Sequence, residues 1–184
     1  MGSPIAVPNI GGDTGGRLQG DVCAVRGVLC AASPKKRESK AKGDEAQIRD
    51  LYDQWAKAFR AHDLDGIMAV YAPGDALVAY DIVPPLQYTG HDNYRKNYES
   101  FLAQYTGPIE VEYRDMRVMA SGDLGVIHAL ERISGTLTNG QKSDIWLRAT
   151  SAVRKINGKW MIVDDHISVP TDFDTGKAVL DLKP

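Results

Sequence analysis

The chain has 184 residues, 43% of them apolar and 25% charged, with 22 basic against 24 acidic side chains for a net charge of -2. That length suits one domain, or one domain with a tail. Two cysteines are too few for a disulfide scaffold; there is no apolar run long enough to span a membrane, and the charge balance lacks the basic footprint of a nucleic-acid binder.

The average conceals a division. Residues 1–43 contain eight glycines, both cysteines (Cys23 and Cys30), and seven basic against three acidic residues, a net charge of +4, whereas the remaining 141 residues carry -6. No period of 3.6 or 2 runs through this first segment, so it is expected to be a disordered, glycine-rich basic tail. Arg26 interrupts its mildly apolar stretch and the run Lys35-Lys36-Arg37 follows rather than precedes it, which argues against a secretory signal. The domain is therefore expected in the cytoplasm, with an organelle transit peptide as the lesser alternative. The cysteines have no histidine partners nearby, and no zinc site is expected.

Residues 44–184 read as the folded domain. Asp44 is a candidate N-cap for a helix to about Ala61, with Ile48, Leu51, Tyr52, Trp55, Ala58 and Phe59 at helical spacing. Asp63 caps a second, short helix with Leu64, Ile67, Met68 and Tyr71 on one face. A short strand is expected over 76–81, an extended loop at Pro84-Pro85, and a third helix opening at Gly90-His91-Asp92 and carrying Tyr94, Tyr98, Phe101 and Leu102. Four long strands follow, over 109–119, 124–138, 141–156 and 160–169. The turns between them hold Ser121-Gly122-Asp123, Asn139-Gly140 and Asn157-Gly158, all hairpin signals. A four-strand meander must hide one face under the helices. The fold class is α+β: helices first, then a curved antiparallel sheet, with a pocket between them.

The stretch Ala58-Phe59-Arg60-Ala61-His62-Asp63-Leu64-Asp65-Gly66-Ile67-Met68-Ala69-Val70-Tyr71-Ala72 resembles the first helices of the nuclear transport factor 2-like superfamily. Its closest flavours are the ketosteroid isomerases and the SnoaL-like polyketide cyclases. The run Asn157-Gly158-Lys159-Trp160 through His166 to Pro170 resembles the last strand of SnoaL-like proteins. Together they cover residues 44 to 180. The resemblance implies a cone-shaped, cystatin-like fold, but not one function, because the superfamily hosts isomerases, dehydratases, cyclases and non-catalytic association domains.

Three groups of residues are candidates for chemistry. Asp81 ends an apolar strand and precedes Ile82-Val83-Pro84-Pro85; desolvation there would raise its pKa toward that of a general base, and the alternative is a turn cap. By resemblance it stands at the catalytic aspartate of the isomerases. On the last strand, Trp160, Ile162, Asp164, His166 and Ser168 share one face by the period of two, so Asp164 is placed to orient His166. On the third long strand, Trp146, Arg148 and Thr150 share a face. Arg148 there would hold either Asp164 or an acidic ligand. Carried over from the isomerases, the oxyanion tyrosine falls at Trp55 and the strand aspartate near Thr150, which leaves a weaker hole and argues against steroid isomerisation. Tyr52, Tyr80, Tyr94 and Tyr98 complete the expected ligand wall.

Two functional readings stay open. The first is an acid–base enzyme of isomerase, cyclase or dehydratase type, acting on a small apolar or aromatic molecule through Asp81 and His166, with no organic cofactor and no metal. The second is a non-catalytic module that binds a ligand or serves association. A homodimer through the outer sheet face is expected in either case, with no nucleic-acid or membrane partner.

Overall fold

Ile48, Leu51, Tyr52, Trp55, Ala56 and Phe59 form one buried stripe, which requires a helix that lies along the core. In the structure, a computed structural model that describes residues 34–184, this helix is α1, Pro34–Arg60. Asp44 is not its N-cap. The helix starts upstream of it, and the buried Asp44 carboxylate instead receives Lys155 Nζ at 2.6 Å. The segment expected as a tail thus contributes its residues 34–43 to α1, while residues 1–33, with Cys23 and Cys30, lie outside the described residues.

Helix α2, Leu64–Met68, starts where Asp63 Oδ1 accepts the Gly66 N–H at 2.9 Å, as expected of a cap. A 3₁₀ turn at Gly74–Ala76 leads into strand β1, Val78–Tyr80. A two-residue strand, β2 (Tyr88–Thr89), closes the proline loop, and α3 spans His91–Leu102. Gly90, which precedes α3, has φ of 87°, and a Cβ there would stand 3.2 Å from Asp75 Oδ1, so the turn requires glycine.

Four long strands follow: β3 Tyr105–Ser121, β4 Leu124–Leu137, β5 Lys142–Ile156 and β6 Lys159–Ser168. They form the expected antiparallel meander, and the three helices precede them, so the α+β class stands. The sheet is wider than four strands. Its order is β2-β1-β6-β5-β4-β3, with β1 parallel to β6 and β2 antiparallel to β1. Among the described residues no helix is long and apolar enough to cross a membrane.

The register decides which side chains face the helices. On β4 the inward set is Gly125, Ile127, Ala129, Glu131 and Ile133; on β5 it is Leu147, Ala149, Ser151 and Val153. In β6 the pairing passes from Ala152↔Asp164 directly to Val153↔Ile162, so Val163 is left over as a bulge. An extra residue reverses the alternation. Ile162 and Asp165 are therefore both buried, while His166 is exposed.

The strand is pinned on its other edge as well. Ile162 exchanges backbone hydrogen bonds with Val70 and Ala72, at 2.9 and 2.8 Å, which fixes Tyr71 beside the bulge. The Lys155–Asp44 pair ties the β5–β6 hairpin to α1, with Lys155 Nζ also 4.9 Å from the Trp160 ring centre. Replacing Lys155 with Met leaves a buried carboxylate without its cation. We expect the variant to lose roughly 3 kcal/mol of unfolding free energy by denaturant titration; a loss too small to measure would show the pair to be dispensable.

Candidate functional site

Between α1, α3 and the inward face of the sheet lies a cavity of about 90 Å³. Its helix side is mainly aromatic, with Tyr52, Trp55 and Phe59 from α1, Tyr71 after α2, and Tyr94, Tyr98 and Phe101 from α3. Tyr113 of β3 and the aliphatic side chains Ile133, Ile145, Leu147 and Ile167 close the sheet side. Ile82 and Val83 both border the cavity and reach solvent, so the loop after β1 forms its mouth. Three carboxyl groups face this space: Asp81, Glu131 and Asp165.

Asp165 is the best bonded of the three. Ser151 Oγ donates to its Oδ1 at 2.6 Å and Tyr71 OH donates to its Oδ2 at 2.8 Å. A hydroxyl has a single proton, so the remaining directions follow. Tyr52 OH donates to Ser151 Oγ at 2.7 Å, Tyr98 OH donates to Tyr71 OH at 2.6 Å, and Trp55 Nε1 donates to Tyr98 OH at 3.1 Å. Every proton in this network points toward Asp165. Burial raises the Asp165 pKa to about 6; the bonds from Ser151 and Tyr71 oppose the rise, and the charges of Asp81 and Asp164 add to it.

Asp81 stands at the mouth. Its Oδ1 accepts the Ile82 backbone N–H at 2.7 Å, and its Oδ2 accepts Asn97 Nδ2 at 2.8 Å and Tyr94 OH at 3.4 Å. The Tyr88 hydroxyl, 3.0 Å from Asn97 Oδ1, sets the orientation of that amide. Burial raises the Asp81 pKa above its ordinary value, and the three donors restrain the rise. Asp81 thus both caps the turn at Ile82 and faces the cavity.

Glu131 differs from both. It is only 5% exposed, and among the described residues no group donates a hydrogen bond to it. Its register partner on β3 is Tyr113, whose hydroxyl is buried and also without a partner. Burial, followed by the negative charges of Asp165 and Asp81, raises the Glu131 pKa to about 8. Burial likewise raises the phenols of Tyr52, Tyr71, Tyr94, Tyr98 and Tyr113 well above their ordinary values, so they stay protonated donors.

The structure brings together Asp81, Tyr52, Trp55, Tyr94 and Tyr98 of the residues expected at the site. It does not bring in the others. The bulge at Val163 turns Asp164 and His166 away from the cavity and puts Asp165 in their place; the His166 ring packs instead 5.7 Å from that of Tyr80, which also lies outside. Trp146, Arg148 and Thr150 occupy the outer face of β5, where Trp146 lies under the Arg114 guanidinium at 5.1 Å. Their alternates Leu147, Ala149 and Ser151 are buried and face in, while Arg148 keeps its charge in water on the outer face. Arg148 therefore meets neither Asp164 nor a ligand inside the cavity. Sequence reasoning passed over Asp165, Ser151 and Glu131. Glu131 did carry a signal, as a carboxylate at the period of two among Ile127, Ala129 and Ile133.

A SnoaL-like domain model matches residues 48–172. Among solved structures, the chain is 35% identical to a nuclear transport factor 2-like protein of unknown function from Pseudomonas putida, over 78% of this chain and 99% of that one, with a TM-score of 0.71. A nuclear transport factor 2-like superfamily protein from Salmonella enterica shares the fold at 15% identity, over 75% and 99% of the two chains, with a TM-score of 0.65. A ketosteroid isomerase-like protein from Erwinia carotovora does so at 20% identity, over 68% and 95%, with a TM-score of 0.59. No curated protein matches.

The Glu131 shift carries a consequence for stability. Between its ordinary value of 4.5 and its folded value of about 8, the folded chain holds a proton that the unfolded chain has lost. Unfolding then becomes easier as pH rises through that window, and Asp165 acts with the same sign between 3.8 and about 6. Glu131→Gln removes the larger contribution. We expect thermal melts to show the variant matching wild type near pH 4.5 and exceeding it above pH 8, by on the order of a few kcal/mol. Parallel pH profiles for the two proteins would contradict the assignment.

Proposed function

The chain belongs to the SnoaL-like domain family, and from that membership together with its cavity we propose that it binds a small, largely apolar or aromatic molecule and moves a proton on it. The observation that carries this reading is Asp81, a carboxylate of raised basicity set at the mouth of an aromatic cavity and held in one orientation by Ile82, Asn97 and Tyr94. A general base needs a position within reach of the ligand and a pKa moved toward the working pH, and Asp81 has both attributes.

In this reading Asp81 removes a proton from carbon, or from a water that attacks the ligand. The electrophilic side falls to Tyr113, whose protonated hydroxyl borders the same space, is committed to no acceptor among the described residues, and offers its dipole to an oxygen that gains charge as the proton leaves. Isomerisation, cyclisation and dehydration all use this pair of functions. His166 takes no part, because its side chain lies on the other face. The open, lined cavity favours ligand binding over an association module, whose cone needs no such space.

Deuterium incorporation from heavy water into enolisable aryl ketones such as acetophenone and phenylacetone, followed by NMR, tests the proposal. The expected result is faster exchange with the protein than with buffer, and a drop of roughly a hundredfold or more for Asp81→Asn. Exchange by Asp81→Asn at the wild-type rate would remove Asp81 as the base, and no acceleration of any ketone would count against proton transfer from carbon.

A further inference from the structure

The cavity lining is electrostatically one-sided. Three carboxyl groups and eight aromatic side chains border it, and among the described residues no lysine, arginine or histidine does. An anionic ligand would enter without a counter-charge, at a desolvation cost of several kcal/mol. A wholly neutral ligand would bring no counter-charge to the carboxyls. A cation is the complement, and aromatic side chains such as Tyr52 and Tyr113, which line the cavity, attract one.

Within this lining, one position is open. Asp81 and Asp165 already receive their donors, whereas the Glu131 carboxyl, 95% buried by its 5% exposure, receives none. Beside it on β3, the Tyr113 hydroxyl is also unpartnered. The Glu131 carboxyl lines the cavity with no donor among the described residues, and a ligand N–H would supply one.

We propose that the cavity takes a small organic ammonium ion bearing an aryl or alkyl group, its N–H groups donating to the Glu131 carboxylate beside Tyr113 and its charge resting among the aromatic rings. This deepens the acid–base reading above by naming the ligand class of the same cavity. The titratable groups that line the cavity with Glu131 are Asp165 from β6, Asp81 from the loop after β1, and the phenols of Tyr52 on α1, Tyr71 after α2, Tyr94 and Tyr98 on α3 and Tyr113 on β3. The two carboxylates disfavour its ionisation, so an arriving ammonium reverses the local sign and the carboxyl releases its proton as the ion pair forms.

Titration calorimetry on the full chain at neutral pH, with benzylamine, benzyl alcohol and benzoate as probes of matched size, tests this directly. The expected order is benzylamine tighter than benzyl alcohol by about tenfold or more, with no benzoate binding. Glu131→Gln, which keeps the shape and removes the charge, should bring the amine to the affinity of the alcohol. Benzyl alcohol or benzoate binding as tightly as the amine, absence of amine binding, or an amine preference that survives Glu131→Gln would each overturn the inference. Asp81-dependent exchange on a neutral ketone without any amine preference would leave the acid–base reading standing and sink only this one. Amine selectivity without Asp81-dependent exchange would do the reverse.

Discussion

Asp165 accepts hydrogen bonds from Ser151 and Tyr71 at 2.6 and 2.8 Å, and the rest of the site depends on that buried carboxyl. Through Ser151 it holds Tyr52 of α1, and through Tyr71 it holds Tyr98 of α3 and, one step further, Trp55. Helix, sheet and connecting segment are joined at a single acceptor whose incoming protons all share one direction. Hydrogen bonds to a charged group are about twice as strong as neutral ones, which makes this network a rigid frame and not a loose set of contacts. The frame exists because Val163 is an extra residue in β6. Without that bulge Asp164 would take the inward position opposite Ser151, and Asp165 would turn to the outer face.

The cavity is costly for the fold. Burying carboxyls among aromatic rings penalises their charged forms, and Glu131 lacks even the compensation of a donor. A core selected only for stability would carry an aliphatic residue at that position, level with Leu147 across the β4–β5 ladder. Groups retained against such a cost are characteristic of functional sites. Asp165 and Glu131 are distinct on this scale. The first is satisfied internally and positions its neighbours, while the second is free to act on whatever enters.

Most of the architecture is contained in local chemistry. Gly122, Asn139-Gly140 and Asn157-Gly158 mark the three hairpins, Asp63 marks the start of α2, and the stripe from Ile48 to Phe59 marks the buried face of α1. Asp44 misleads because a good capping residue is also a good ion-pair partner, and only the position of Lys155 distinguishes the two roles. The site is less legible, for one main reason. Alternation by two assigns faces correctly only while a strand is regular, and nothing in Ile162-Val163-Asp164-Asp165 announces a bulge. That single irregularity exchanges Asp164 and His166 for Asp165. On β5 the alternation holds, and the information lay in comparing its two faces: Leu147, Ala149, Ser151 and Val153 suit a core, whereas Arg148 and Arg154 suit water.

Asp165 and Glu131 hold their protons to higher pH than ordinary carboxyls because both are buried in one cavity. Carbon-13 NMR of the aspartate and glutamate side-chain carboxyls across a pH titration, with signals assigned by Asp165→Asn and Glu131→Gln, measures this directly. The predicted midpoints are about 6 for Asp165 and about 8 for Glu131. Midpoints at the ordinary values of 3.8 and 4.5 would show both groups to be solvated and would contradict the buried acid site.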